Sequence, residues 1–158
     1  MKIFYSILAF LTLNSFIMSD VFSDDLPVWQ IQGHVAEGIQ EASEMQKKVL
    51  WHNEKKYGLF SVDTLKPMEA LAWMSIEQGN FTEAEYLCGR IINIRLSKVP
   101  PSEENNARLG TAYFLLGDAY LYQKQYLTAE INYDKSLKLA KDPEHKGDVF
   151  NRKGIVSQ

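Results

Sequence analysis

The side chains that could do chemistry are few and scattered. Three histidines, His34, His52 and His145, fall in separate stretches without a His-x-x-x-His spacing that would set two imidazoles on one helical face. Surface or helix-end positions account for them, and no metal is expected. Cys88 is the single cysteine, so an intramolecular disulfide is impossible. It falls among the inward positions of an apolar stretch, which makes it a buried thiol rather than a nucleophile. No Gly-rich phosphate loop, nucleophile elbow or paired-cysteine motif occurs, so no catalytic residue is assigned, no cofactor is expected, and the chain is read as a non-enzyme. Asn80-Phe81-Thr82 fits a glycosylation acceptor, but the same Asn is explained as a helix cap. The densest basic pairs, Lys47/Lys48 and Lys55/Lys56, share their segments with Glu44 and Glu54, as a solvated helix face does. With a formal net charge of −3, no field for a nucleic-acid partner exists.

The elements that would carry these residues follow from apolar spacing. At 158 residues, with 46% hydrophobic and 23% charged residues, the chain has the size and composition of one ordinary folded unit. Val35, Ile39, Ala42, Met45 and Val49/Leu50 recur at helical period, predicting a helix over residues 35–57 that stops at Gly58. Asp63 or Thr64 caps a second helix carrying Met68, Leu71, Ala72 and Ile76 as far as Gly79, with Pro67 tolerated in its first turn. Asn80 and Glu83 form a capping-box-like start for a third, with Ala84, Leu87, Cys88, Ile91, Ile92 and Ile94 inward. Val99-Pro100-Pro101 breaks the chain, and Ser102 caps a long helix through Leu109, Ala112, Leu116, Gly117 and Leu121. A turn at Lys124-Gln125 leads to a helix that uses Tyr126, Ala129, Ile131, Tyr133, Leu137 and Leu139. Asp142-Pro143 then caps a last short helix, about residues 143–156, carrying Val149, Phe150 and Ile155. No segment alternates as a strand does, so the expected fold class is all-α.

The first residues bear on compartment. Lys2 and the apolar run from Ile3 to Met18 read as a signal peptide, with small residues allowing a cut after Ser23 or after Ser19. The run is shorter than the roughly 20 apolar residues that a membrane span needs. The mature chain is therefore expected to be exported, periplasmic or secreted, and not membrane-spanning; an uncleaved anchor is the rival. Losing residues 1–23 removes Lys2 and Asp20 and leaves the charge balance unchanged. Residues 24–34 contain Pro27 and Gly33 without a sustained period, so they are read as an extended lead-in.

An internal repeat joins the helices. Leu71-Ala72 aligns with Leu116-Gly117, Phe81 with Tyr126, Ala84-Glu85 with Ala129-Glu130 and Ile92 with Leu137, all at one offset of 45 residues. Two helices of a hairpin approach closely only where small side chains meet, which is what Ala72/Gly117 and Ala84/Ala129 supply. Tyr113, Leu116-Gly117, Tyr120, Tyr126, Ala129 and Tyr133 resemble the tetratricopeptide repeat, and Met68, Leu71-Ala72, Gly79, Phe81, Ala84 and Cys88 follow it more loosely. The setting Tyr57-Gly58, Thr64-Leu65, Leu71-Ala72, Gly79, Phe81 and Glu83-Ala84-Glu85 is similar to the longer repeats of the kinesin light chain type. The resemblance covers about residues 57–143. Ser75, Lys124 and Ser136 depart from it, replacing an aromatic, a glycine and a small apolar residue respectively.

That resemblance implies a short right-handed solenoid of antiparallel helix pairs: a capping helix or half-repeat over 35–57, repeats over 58–99 and 100–142, and a C-terminal cap over 143–158. It also implies a concave groove, lined by the first helix of each pair, that holds a peptide or partner protein. The positions facing it would be Lys66, Glu69, Trp73 and Glu77, then Thr111, Phe114, Asp118 and Tyr122, then Asp148, Asn151 and Arg152. Trp73 and Tyr122 are the expected anchors, because large amphipathic rings dominate interfaces. Glu69 and Trp73 stand where a receptor for C-terminal carboxylates carries Lys and Asn, which disfavours that ligand. The rival is a self-associating structural protein of the envelope, a homo-oligomer whose terminal half-repeats pair between chains.

Overall fold

The structure, a computed structural model, describes residues 28–156, with the side chains of residues 28–31 and of His34 excepted. The expectations for a signal peptide, its cut and the first residues of the lead-in lie outside the described residues. The chain divides into two compact units, Met1–Glu44 and Met45–Gln158. Helix α1, Val28–Tyr57, runs through that boundary. The second unit continues with a 3₁₀ turn, Val62–Thr64, and then α2, Leu65–Glu77; α3, Phe81–Lys98; α4, Glu103–Tyr122; α5, Tyr126–Leu139; and α6, Pro143–Val156. The described residues are helical with no strand, so the fold class is all-α. No described helix is long and apolar enough to cross a membrane.

α1 begins at Val28, seven residues before the start expected at Val35, so residues 28–34 are helical rather than extended. Gly33 inside a helix costs only about 1 kcal/mol relative to alanine, too little to stop one. α1 ends as expected: Gly58 takes a positive φ of 93° and its amide donates to the Glu54 carbonyl at 2.9 Å.

Two of the expected caps are made differently. The Ser61 hydroxyl accepts from the Asp63 amide at 3.2 Å, capping the 3₁₀ turn, while Thr64 precedes α2 without a side-chain cap bond and donates to the Ser61 carbonyl at 2.6 Å. Asn80 sits at the cap position of α3, but its side chain makes no cap bond, so the capping box does not form. Ser102 does cap α4, accepting from the Asn105 amide at 3.0 Å, and the Asp142 carboxylate takes the His145 amide at 3.1 Å at the head of α6.

The repeat is written into the backbone. At the end of α2, the Gly79 amide donates to Ile76 at 3.1 Å and the Asn80 amide to Ser75 at 2.7 Å. Forty-five residues on, Lys124 donates to Leu121 at 2.9 Å and Gln125 to Tyr120 at 2.8 Å, which is the same Schellman closure. Gly79 has φ 75° and Lys124 φ 62°, so the lysine does occupy a left-handed position. Lys124→Gly is expected to raise stability by about 1 kcal/mol, measured as a higher urea midpoint; a drop would show that the lysine side chain contributes more than its backbone costs.

Each helix from α2 to α6 packs on the next, and α4 also packs on α2 and α6. One core cluster joins Leu50 of α1, Met68, Leu71 and Ala72 of α2, Leu87, Cys88, Ile91 and Ile94 of α3, and Ala112 and Leu115 of α4. A second joins Leu121, Ala129, Tyr133 and Val149. Ala72, Ala84 and Ala129 are wholly buried. At Gly117 a β-carbon would come within 2.5 Å of the Tyr133 ring, so close approach there requires glycine. Several apolar residues expected inward are instead exposed: Met45 and Val49 on α1, Tyr126 and Ile131 on α5, Phe150 and Ile155 on α6. On each of these helices the apolar stripe is wider than the surface its neighbours cover.

Candidate partner-binding face

The face expected from the first helices of the pairs lies on α2, α4 and α6, and it has two differently built ends. At one end Glu69 of α2 is drawn into a clamp. Its Oε1 accepts from Arg95 Nε of α3 at 2.9 Å and from the same guanidinium's Nη2, and its Oε2 pairs with Arg108 Nη1 of α4 at 3.0 Å. Arg95 is buried, and its Nη1 donates to Asn105 Oδ1 at 2.9 Å. Glu69 therefore holds three helices together, whereas Lys66 beside it is exposed.

At the other end α4 and α6 meet. Asp118 is buried; its Oδ1 accepts from the Tyr133 hydroxyl at 2.7 Å and pairs with Arg152 Nε at 3.2 Å. Burial lifts its carboxyl above the usual range, against the Tyr133 hydrogen bond and Arg152, while Glu77 and Asp148 push the same way as burial. Glu77 of α2 and Asp148 and Arg152 of α6 thus all act on Asp118 of α4. Phe114 is half-buried between the two core clusters and touches the rings of Tyr133 and His145.

Of the positions expected to face a partner, Glu69, Phe114 and Asp118 are thus occupied by the fold itself. Arg95 of α3 and Tyr133 of α5 bond the carboxylates of Glu69 and Asp118, and Tyr133 and His145 lie against the Phe114 ring. Lys66, Glu77, Thr111, Tyr122, Asp148 and Asn151 are exposed, and Trp73 and Arg152 are half-buried. Trp73 rests on the first core cluster with part of its ring uncovered. Tyr122 stacks on Phe81 with centroids 4.9 Å apart, and the Arg152 guanidinium lies 5.9 Å over its ring.

Two other features were not foreseen from the sequence. An open cleft of about 520 Å³ runs between α3 and α4, walled by Phe60, Tyr86, Leu116 and Tyr120 and floored at Gly89. Beside it Arg90 is buried, donating to the Leu59 carbonyl at 2.5 Å and pairing with Glu54 at 2.7 Å. The signal was there in part: Arg90 and Arg95 fall within the inward phase of α3, which only buried partners would tolerate. Cys88 is buried, and its surroundings push the thiol up to about 12, first by desolvation and then by the charge of Asp118. It is not a thiolate at neutral pH. Among the described residues no group of three His, Cys, Asp or Glu side chains could hold a metal.

No protein-family model, curated protein or solved structure matches the chain.

Proposed function

We propose that the chain is an exported interaction module of tetratricopeptide type, a short right-handed helical solenoid that holds an extended peptide or partner segment along α2, α4 and α6. The observation that carries the reading is the pair of matching closures, Ser75/Ile76/Gly79/Asn80 and Tyr120/Leu121/Lys124/Gln125, each followed by a buried alanine, Ala84 or Ala129, at one offset. A sequence repeat that is also a backbone repeat makes two equivalent helix pairs, and equivalent pairs present equivalent faces. Trp73 and Tyr122 then supply partly uncovered rings on a rigid support, the kind of anchor that gives a few residues most of the binding energy. Export rests on the character of residues 1–23.

Peptides selected for binding to the mature protein are expected to lose roughly tenfold or more in affinity against Trp73→Ala and against Tyr122→Ala, and little against Tyr86→Ala. Equal affinity for all four proteins would refute this reading. A second reading, self-association, draws on the large apolar side chains left bare on the outermost helices, Met45 and Trp51 of α1 and Phe150 and Ile155 of α6. Sedimentation equilibrium separates the two: a stable monomer supports the peptide groove as the working surface.

A further inference from the structure

The face formed by α2, α4 and α6 carries charges that the fold itself does not use. Glu69 of α2 meets Arg108 of α4, and Glu77 of α2 acts on Asp118 of α4. Phe114 and Asp118 of α4 in turn meet His145 and Arg152 of α6. The contacts follow the same order on each helix, so the three run in one direction and the face has an N-terminal and a C-terminal end.

At the N-terminal end the acids are consumed. Glu69 is shared by Arg95 and Arg108, and Arg108 also takes Glu104 at 3.4 Å. Lys66 is exposed and enters no ion pair among the described residues. Three cations there stand against two carboxylates. At the C-terminal end the balance is reversed. Asp118 is answered by Arg152, and Lys153 is held by Asp134 and Glu130 of α5. Glu77, one turn beyond Trp73, and Asp148, one turn before Arg152, are exposed and enter no ion pair among the described residues. Three carboxylates thus stand against one guanidinium; Lys124, in the turn after α4, is not among the charges acting on Asp118. Like charges gathered on one surface repel, and a cation brought to them relieves that repulsion. Beside them Tyr122 keeps 46% of its surface in water, room for the aliphatic stem of a lysine or arginine.

We propose that the segment held along α2, α4 and α6 is bipolar: a lysine or arginine brings its charge to Glu77 and Asp148 with its stem on Tyr122, and an acidic residue about four positions away meets Lys66 and Arg108. This rests on the peptide-binding function proposed above and deepens it by naming the partner's charge pattern. The spacing comes from α2, which rises about 12 Å between Glu69 and Glu77, a distance that an extended chain covers in about four residues. A uniformly basic segment is repelled at the N-terminal end of the face and a uniformly acidic one at the C-terminal end.

A display library of random short peptides, selected on the protein at low salt, tests this. Among binders that depend on Tyr122, Lys or Arg is expected to be enriched over the starting library at one position, and Asp or Glu about four positions from it. Their affinity is expected to fall about two- to fivefold with Glu77→Gln, as much with Asp148→Asn, and about tenfold with both. Added salt is expected to weaken binding to the wild-type protein and to affect the double variant much less. Should the double variant show a lower urea midpoint, the enrichment and the salt dependence of the wild-type protein decide. Binders that need Tyr122 but show no such enrichment, or that keep wild-type affinity for the double variant, would overturn the bipolar partner and leave the peptide-binding function standing. Binders indifferent to both Trp73→Ala and Tyr122→Ala would overturn both.

Discussion

Gly117→Ala is expected to lower stability by about 2 kcal/mol, although alanine is the better helix former. The added β-carbon would lie 2.5 Å from Cε1 and 2.6 Å from Cδ1 of Tyr133. The ring cannot swing aside, because it is wholly buried and its hydroxyl is fixed to Asp118 at 2.7 Å. Overpacking of this kind costs typically up to about 3 kcal/mol, and the gain in helix propensity returns only about 1. The sign is therefore the test. A lower urea midpoint at unchanged slope supports the close crossing of α4 and α5, while a rise of about 1 kcal/mol would mean that propensity alone operates and that the helices do not touch there. The equivalent positions of the first pair are Ala72 and Cys88, where a larger residue at one site goes with a smaller one at the other.

Glu69→Ala is expected to cost about 3 kcal/mol. The substitution leaves the Arg95 guanidinium buried with only Asn105 to receive it, and removing one partner of a buried ion pair typically costs about 3–5 kcal/mol. The lower end applies because Glu69 keeps about a quarter of its side chain in water and Arg108 about half. Unfolding in urea measures it. A loss below about 1 kcal/mol would class the clamp with ordinary surface pairs. The consequence for function is specific: a binding defect in this variant reflects a loosened α2–α3–α4 junction, not a lost contact with a partner.

The periodicity located five of the six described helices closely, because Gly58, Gly79, Pro100-Pro101 and Asp142-Pro143 punctuate the chain with residues whose backbone geometry is their own signal. α1 was misjudged at its start because one glycine looks like an end in sequence but costs little inside a helix with room to continue. Exposure was harder to read. Ile131, Phe150 and Ile155 have inward-looking phases, yet whether a phase is covered depends on what packs there, and that is tertiary information. The same limit governs the candidate face. Spacing singles out Glu69, Phe114 and Asp118 for it, but Arg95, His145 and Tyr133 reach them from elements distant in sequence and use them up. Tyr122 stays exposed although Phe81 stacks on it and Arg152 lies over its ring, and Trp73 is half-buried on the first core cluster.

The most direct test of the account is the amide-exchange footprint of a selected peptide on the protein. Added protection confined to α2, α4 and α6 around Trp73, Tyr122 and Asn151 is the predicted result. Protection centred instead on the Phe60, Tyr86 and Tyr120 cleft between α3 and α4, or none in the first helices of the pairs, would contradict it.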